Sequence, residues 1–279
     1  MLGAIIGDIC GSVYEFNNEK DIDKLVLFKN GCFPTDDSVM TAAVAAALMD
    51  SWGRDDESVK KALVESMRHL GRLFPRAGYG GQFRRWLADP HMGPYGSWGN
   101  GSGMRVSPAG FMYESLDETL RAAKLTAEVT HDHPEGIKGA QAIAAAVFLA
   151  RTGKTKDEIR RFTEENFYPL SFTLDEIRPA YEFDESCRGS CPQAIEAFLE
   201  GESFEDVILK SISIGGDSDT IAAMAGAIAE AFYGIPEDMK LKAFEVMQDA
   251  KSRGTVYPNS VLLGVVKDFY KWVEEHRRS

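Results

Sequence analysis

Two short stretches of this chain carry more acid and hydroxyl than local structure requires. "TDDS", Thr35 to Ser38, and "GGDSDT", Gly215 to Thr220, each stand at the head of an alanine-rich apolar run. One capping oxygen satisfies a helix start, and one acid there gains from the positive end of the helix dipole. A second carboxylate beside an apolar helix repels the first and loses water, which costs free energy unless a cation compensates. No Lys or Arg follows the first cluster before Arg54, and Lys29 is the nearest upstream. Oxygen-only donors of this kind (carboxylate, hydroxyl, water) select Mg²⁺, Mn²⁺ or Ca²⁺ over zinc or copper. Two such clusters brought together would hold two metals roughly 3.5–4 Å apart, an arrangement suited to hydrolysis.

The segments that must hold these groups are helical in pattern. Val39 to Asp50 is apolar nearly all round, as expected of a buried central helix, and Asp217 to Tyr233 reads the same way. The small residues Ala42, Ala43, Ala45, Ala46 and Ala47 in the first run, and Ala222, Ala223, Ala225, Ala227 and Ala229 in the second, let helix axes approach and predict that the two N-termini meet. Asp55 to Leu73 is amphipathic, and helices are predicted over Ala77 to Leu87, Leu116 to Val129, Pro134 to Ala150, Thr155 to Asn166, Pro192 to Leu199, Phe204 to Ile212, Pro236 to Ala250 and Asn259 to Glu275. "TKDE" at Thr155 reads as a capping box. Strand signals are poor, and neither a linker nor a tandem repeat divides the chain. The expectation is an all-α fold: a compact single-domain orthogonal multi-helix bundle over residues 1–279, with a binuclear metal site at helix N-termini. One segment, His91 to Pro108, reads as glycine-rich and non-helical, a backbone able to approach a ligand closely.

A chain of 279 residues at net charge −12 lacks the Lys/Arg stripe that nonspecific nucleic-acid binding needs. Its one basic cluster, the terminal "HRRS", reads as a solvated tail. No segment approaches a membrane span, and the six-residue apolar start has no basic flank, so neither a membrane anchor nor a signal peptide is expected. Four cysteines are too few for a disulfide scaffold, and Cys187 and Cys191 in "CRGSC" read as reduced, semi-buried thiols of a cytoplasmic protein.

Taken in order, four motifs resemble the ADP-ribosylglycohydrolase family: "GAIIGDICGSVYE" (Gly3 to Glu15) is similar to its opening helix, "TDDS" and "GGDSDT" to its two metal motifs, and "GSWGNGSGMRVSP" with "THDHPEG" to its ligand loop and following histidine. Each motif alone is weakly specific, whereas the ordered set spans most of the chain. The resemblance implies Mg²⁺-dependent hydrolysis of the C1″ bond between ADP-ribose and an acceptor, on an ADP-ribosylated protein or a small-molecule conjugate. It implies two Mg²⁺ ions, with Mn²⁺ as a substitute, held by Thr35, Asp36 and Asp37 on one side and by Asp217, Asp219 and Thr220 on the other. Glu15, Asp36 and Asp219 are then the catalytic candidates. Glu15 is either a base on water or a metal ligand, and "SVYE" is closer to the serine-type branch than to the arginine-type branch. Asp8 is given a capping or structural role.

The resemblance further implies that Gly96, Ser97, Trp98, Gly99 and Asn100 wrap the pyrophosphate, through backbone N–H groups and the Ser97 hydroxyl. Trp98 or Tyr95 either stacks on the ligand or packs in the core. His131 is the ligand-contacting histidine, ahead of His133, and Arg105 is assigned to a buried salt bridge rather than to phosphate. Acceptor choice is expected at the rim, around Asn17 to Phe33 and Phe167 to Gly189. The rival readings are a two-metal nucleotide pyrophosphohydrolase and a non-catalytic ADP-ribose binder or structural relative. A monomer is expected.

Overall fold

Glycines at positions 3, 7 and 11 leave one face of the first helix without side chains, and the rest of the fold is arranged around that face. A computed structural model describes residues 1–248 and 259–277. Among them the elements are α1 (Leu2–Gly11), α2 (Asp36–Asp50), α3 (Asp56–Leu73), α4 (Gly81–Ala88), α5 (Gly101–Met104), α6 (Ser107–Met112), α7 (Leu116–Glu128), α8 (Pro134–Arg151), α9 (Lys156–Asn166), α10 (Leu174–Ile177), α11 (Cys187–Glu200), α12 (Phe204–Ser213), α13 (Ser218–Tyr233), α14 (Glu237–Gln248) and α15 (Asn259–Arg277). The described residues contain no strand, only an isolated bridge between Gly99 and Ser186. One continuous apolar core runs from Met1 to Val273, so the all-helical architecture is a single domain.

α1 is buried along its whole length and runs antiparallel to α13. A methyl group at Gly3 would lie 2.2 Å from the Gly226 carbonyl oxygen, and one at Gly7 would lie 2.0 Å from that of Ala222. Reciprocally, a methyl at Gly226 would lie 2.4 Å from the Gly3 carbonyl oxygen. The helices therefore touch backbone to backbone, closer than alanine stripes allow. The two acidic N-termini do meet as predicted, but the close axial approach of α13 is to α1 rather than to α2. α2 packs mainly along α3 and α15 and meets α13 near the two N-termini.

Several predicted boundaries shift. Residues 77–80 precede α4 as irregular backbone, because Gly78 has φ +117° and the Ala77 carbonyl accepts from the Asp36 amide (2.9 Å) instead of a helical partner. α11 begins five residues before Pro192, capped by Ser186, whose hydroxyl accepts from the Gly189 amide. The proline removes a single N–H from that helix. The stretch from His91 to Pro108 is partly helical, since it contains α5 and the start of α6. The box at Thr155 and Glu158 forms with both reciprocal bonds. Of the predicted Pro236–Ala250 helix, residues 249 and 250 lie outside the described residues, as do residues 278 and 279 of the basic terminus. His276 of that terminus is helical, and its ring stacks on Trp272 at 3.7 Å.

Candidate active site

The backbone contact between α1 and α13 delivers the end of one helix to the start of the other. Gly11 sits against Asp219, and the turn that follows α1 carries Glu15. Asn18 clamps that turn: its side-chain amide donates to the Tyr14 carbonyl (2.7 Å) and the Gly216 carbonyl (3.1 Å), and its oxygen accepts from the Gly216 amide (2.8 Å). Gly215 and Gly216, at φ +81° and +65°, turn the chain into α13. A side chain at 216 would collide with Tyr181.

The two acidic clusters meet here. Thr220 Oγ1 donates to Asp37 Oδ2 across 3.2 Å, although 183 residues separate them. Carboxylate oxygens of Asp8, Asp37 and Asp219 lie within 4.8 Å of one another, and so do those of Glu15, Asp217 and Asp219. Asp36 lines the same cavity from the side of Gly78 but belongs to neither triad. Thr35 caps α2, and its hydroxyl donates to Asp8 Oδ1 at 2.7 Å. Asp8 also accepts from the Thr35 amide (2.8 Å), the Ser38 amide (3.1 Å) and the Ser38 hydroxyl. It therefore caps α2 from another helix, as its structural assignment anticipated.

Burial pushes Asp36, Asp37 and Asp219 well above the ordinary carboxylate range, and neighbouring carboxylates add to the effect. Asp217 is raised by burial against the hydrogen bond from Asn100. Asp8 is raised to about 6 by burial, in spite of its four donors. Among the described residues no Lys or Arg pairs with any of these acids. Asp37 Oδ1 is buried with no protein partner. An uncompensated cluster with an orphaned oxygen is the donor set a hard divalent cation fits.

The clusters form one wall of a 550 Å³ cavity. The loop Gly96–Asn100 forms the facing wall, pinned to residues 185–187 by the Asn100 amide on the Glu185 carbonyl (2.7 Å) and the Cys187 amide on the Trp98 carbonyl (3.0 Å). Buried Cys187 donates its thiol to the Gly99 carbonyl. The Gly96 amide donates to Asp132, and the Gly99 amide to Ser97 Oγ. Three of the loop's amides are thus committed to protein acceptors, which narrows the expected backbone cradle. Asn100 is a brace for Asp217, donating to its Oδ2 at 2.7 Å. Trp98 is half exposed at the rim, and Tyr95 is half buried beside His131, ring centres 6.0 Å apart. His131 is buried and lines the cavity, whereas His133 caps α8 by accepting from the Glu135 amide.

Arg105 does not form the salt bridge expected of it. Fully buried, it donates to the Thr126 carbonyl and the Thr130 hydroxyl, and no carboxylate among the described residues pairs with it. Phe183 and Glu185, from the segment expected at the rim, also line the cavity, and Phe183 stacks on the exposed Phe16 at 6.4 Å. The run Gly78 to Gly81 is a further missed wall, for which its repeated glycines were the available signal. Lys20 joins the two rim segments by donating to the Arg178 and Tyr181 carbonyls. No helix among the described residues is long and apolar enough to cross a membrane.

Comparison with known proteins gives a consistent picture. The family model described as ADP-ribosylglycohydrolase matches residues 1–261. ADP-ribosylhydrolase ARH3 of Bos taurus is 27% identical, over 85% of this chain and 84% of that protein. Its counterpart in Homo sapiens is 26% identical, over 85% of each. ADP-ribosylarginine hydrolase Tri1 of Pseudomonas putida (strain GB-1) is 28% identical, over 84% of this chain and 70% of that protein. A solved structure described as an ADP-ribosylglycohydrolase-related protein complex shares the fold, with a TM-score of 0.67 at 23% identity and 95% of each chain covered.

Proposed function

We propose that this chain, which belongs to the ADP-ribosylglycohydrolase family, hydrolyses the C1″ glycosidic bond between ADP-ribose and an acceptor, releasing intact ADP-ribose. The observation that carries the reading is the closure of two acidic helix heads onto one cavity, linked by Thr220 and Asp37, opposite a pinned glycine loop and His131.

Asp37, Asp217 and Asp219, with the Thr220 hydroxyl, would hold the divalent cations, and we take these to be two Mg²⁺ ions. Asp36 faces the same space from α2. Such ions supply electrophilic polarisation and offset the carboxylate charge. The chain's own residues do the rest. The loop from Gly96 and His131 hold the diphosphate side of the ligand, and Asn100 keeps Asp217 aimed at the cavity. We assign Glu15, half-buried and clamped by Asn18, as the acceptor of the proton from the attacking water. The "SVYE" setting favours a serine-linked acceptor, and we take the stacked Phe16 and Phe183 to form the acceptor rim. We place the protein in the cytoplasm as a monomer, with its four cysteines free.

The test is metal-dependent turnover on defined ADP-ribosylated peptides. Asp36→Ala and Asp219→Ala are expected to keep the fold and lose ADP-ribose release, and unchanged activity in both would sink the reading. AMP plus ribose phosphate as products would instead identify a pyrophosphohydrolase.

A further inference from the structure

Arg105, Thr130 and His131 form a buried chain of hydrogen bonds that ends at the cavity. Arg105 Nη2 donates to Thr130 Oγ1 at 2.7 Å, and Thr130 Oγ1 lies 2.8 Å from His131 Nδ1. Arg105 and Thr130 are 1% and 0% exposed, so water does not mediate these contacts from solvent. The order of donors along the chain follows from chemistry. A guanidinium has only donors, so Thr130 Oγ1 accepts from Arg105. The hydroxyl proton then needs an acceptor of its own, and His131 Nδ1 is the one within reach. Were Nδ1 protonated instead, two donors would converge on one hydroxyl and its own proton would be stranded in a dry site, at the cost of an unsatisfied buried group.

The other end of the ring is open. Its Nε2 faces Gly99 of the loop and Gly101 at the start of α5, where a methyl at Gly101 would lie 3.0 Å from it and one at Gly99 3.7 Å. Glycine at 101 therefore keeps this nitrogen uncovered where His131 borders the cavity. Burial and the nearby Arg105 charge push the imidazole well below its ordinary value, which agrees with a neutral ring carrying one proton.

We propose that Arg105 and Thr130 are positioning residues that fix His131 as its Nε2–H tautomer, so that the ring donates a hydrogen bond into the cavity to an oxygen of the bound ADP-ribosyl group. The identity of that acceptor rests on the function proposed above, whereas the tautomer rests on the hydrogen-bond chain alone. In this state His131 is neither a proton acceptor nor a metal ligand through Nε2. It is a fixed donor that binds ligand, and its loss acts on affinity before it acts on the chemical step.

The experiment combines long-range ¹⁵N–¹H NMR of the imidazoles with kinetics on the full chain. The protein has five histidines, and His131→Gln identifies the signal. The wild type is expected to show the Nε2–H pattern. Thr130→Val, which keeps the side-chain shape, is expected to shift His131 to a mixture of tautomers and to raise KM and the inhibition constant of ADP-ribose about tenfold with kcat nearly unchanged. Thr130→Ser is expected to restore both. An Nδ1–H pattern in a wild type that binds ADP-ribose overturns the relay, and so does a Thr130→Val protein with unaltered NMR pattern and KM. An Nε2–H pattern in a wild type that does not bind ADP-ribose overturns the functional reading and the named ligand, and leaves the relay standing.

Discussion

Gly11 and Asp219 are in backbone contact: a methyl at position 11 would lie 2.4 Å from the Asp219 Cα. The one acid shared by both triads is therefore located by a glycine on a different helix. Gly11→Ala is expected to force α1 and α13 apart, to cost at least ~1–3 kcal/mol of stability, and to abolish turnover through displacement of Asp219. Denaturant unfolding and activity measured together check this. A variant of normal stability and normal kcat would show that the contact is not needed to place the acid.

Asp8 caps α2 and also belongs to the Asp8–Asp37–Asp219 triad. Asp8→Ala removes the acceptor for two amides and two hydroxyls at the head of that helix. A loss of about 3 kcal/mol is expected in urea unfolding, since buried donors are left unpaired. Asp37→Asn provides the contrast: like-charge crowding is relieved, so metal-free stability is expected to hold or rise while Mg²⁺ no longer raises Tm.

Protonation and metal should compete. Folded-state values raised above the ordinary 3.8 mean that the native metal-free chain holds protons the unfolded chain has lost. The associated stability is fully present in acid and falls as pH rises through the raised values, Asp8's at about 6. Tm without metal is expected to fall from about pH 4 to about pH 6, the span between Asp8's ordinary and raised values, and the increment from Mg²⁺ to grow over the same range. Scanning calorimetry at both pH values, with and without Mg²⁺, measures it, and an increment independent of pH would contradict the assignment.

Asn18 holds the turn that presents Glu15, through bonds to Tyr14 and Gly216. Asn18→Ala is expected to lower kcat by roughly tenfold to a hundredfold while leaving ADP-ribose affinity within about twofold, because orientation of a reacting group is lost and the diphosphate side is untouched. Steady-state kinetics and calorimetry separate the two effects.

The acidic helix heads are legible in the sequence because Asp36, Asp37, Asp217 and Asp219 exceed what a cap uses, and an excess can be seen without a partner in view. Asp8 is harder to read. Its four donors come from residues up to 30 positions away, so its capping role has no local signature. The glycines at 3, 7 and 11 show a helical spacing, but only the packed chain reveals that α13, not α2, fills the face they leave. His131 and His133 stand two residues apart with the same chemistry on offer. One caps α8 and the other reaches the cavity, a division set by the turn between α7 and α8. Phe183 and Glu185 are placed by the bridge from Ser186 to Gly99, a contact between segments with no shared pattern.

The bond from Thr220 to Asp37 also bears on how the protein comes to exist. Its partners are 183 residues apart, so during synthesis the first acidic cluster emerges long before its counterpart. A nascent chain that ends short of α13 has α1 with an uncovered glycine face and an aspartate group without its second half. Contacts of such long sequence separation form late and slowly, since loop closure precedes their reward. Cation binding at the proposed centre would therefore report that the chain has been made through α13 and folded, and a chain truncated before α13 is expected to lack that metal uptake even where its earlier helices form.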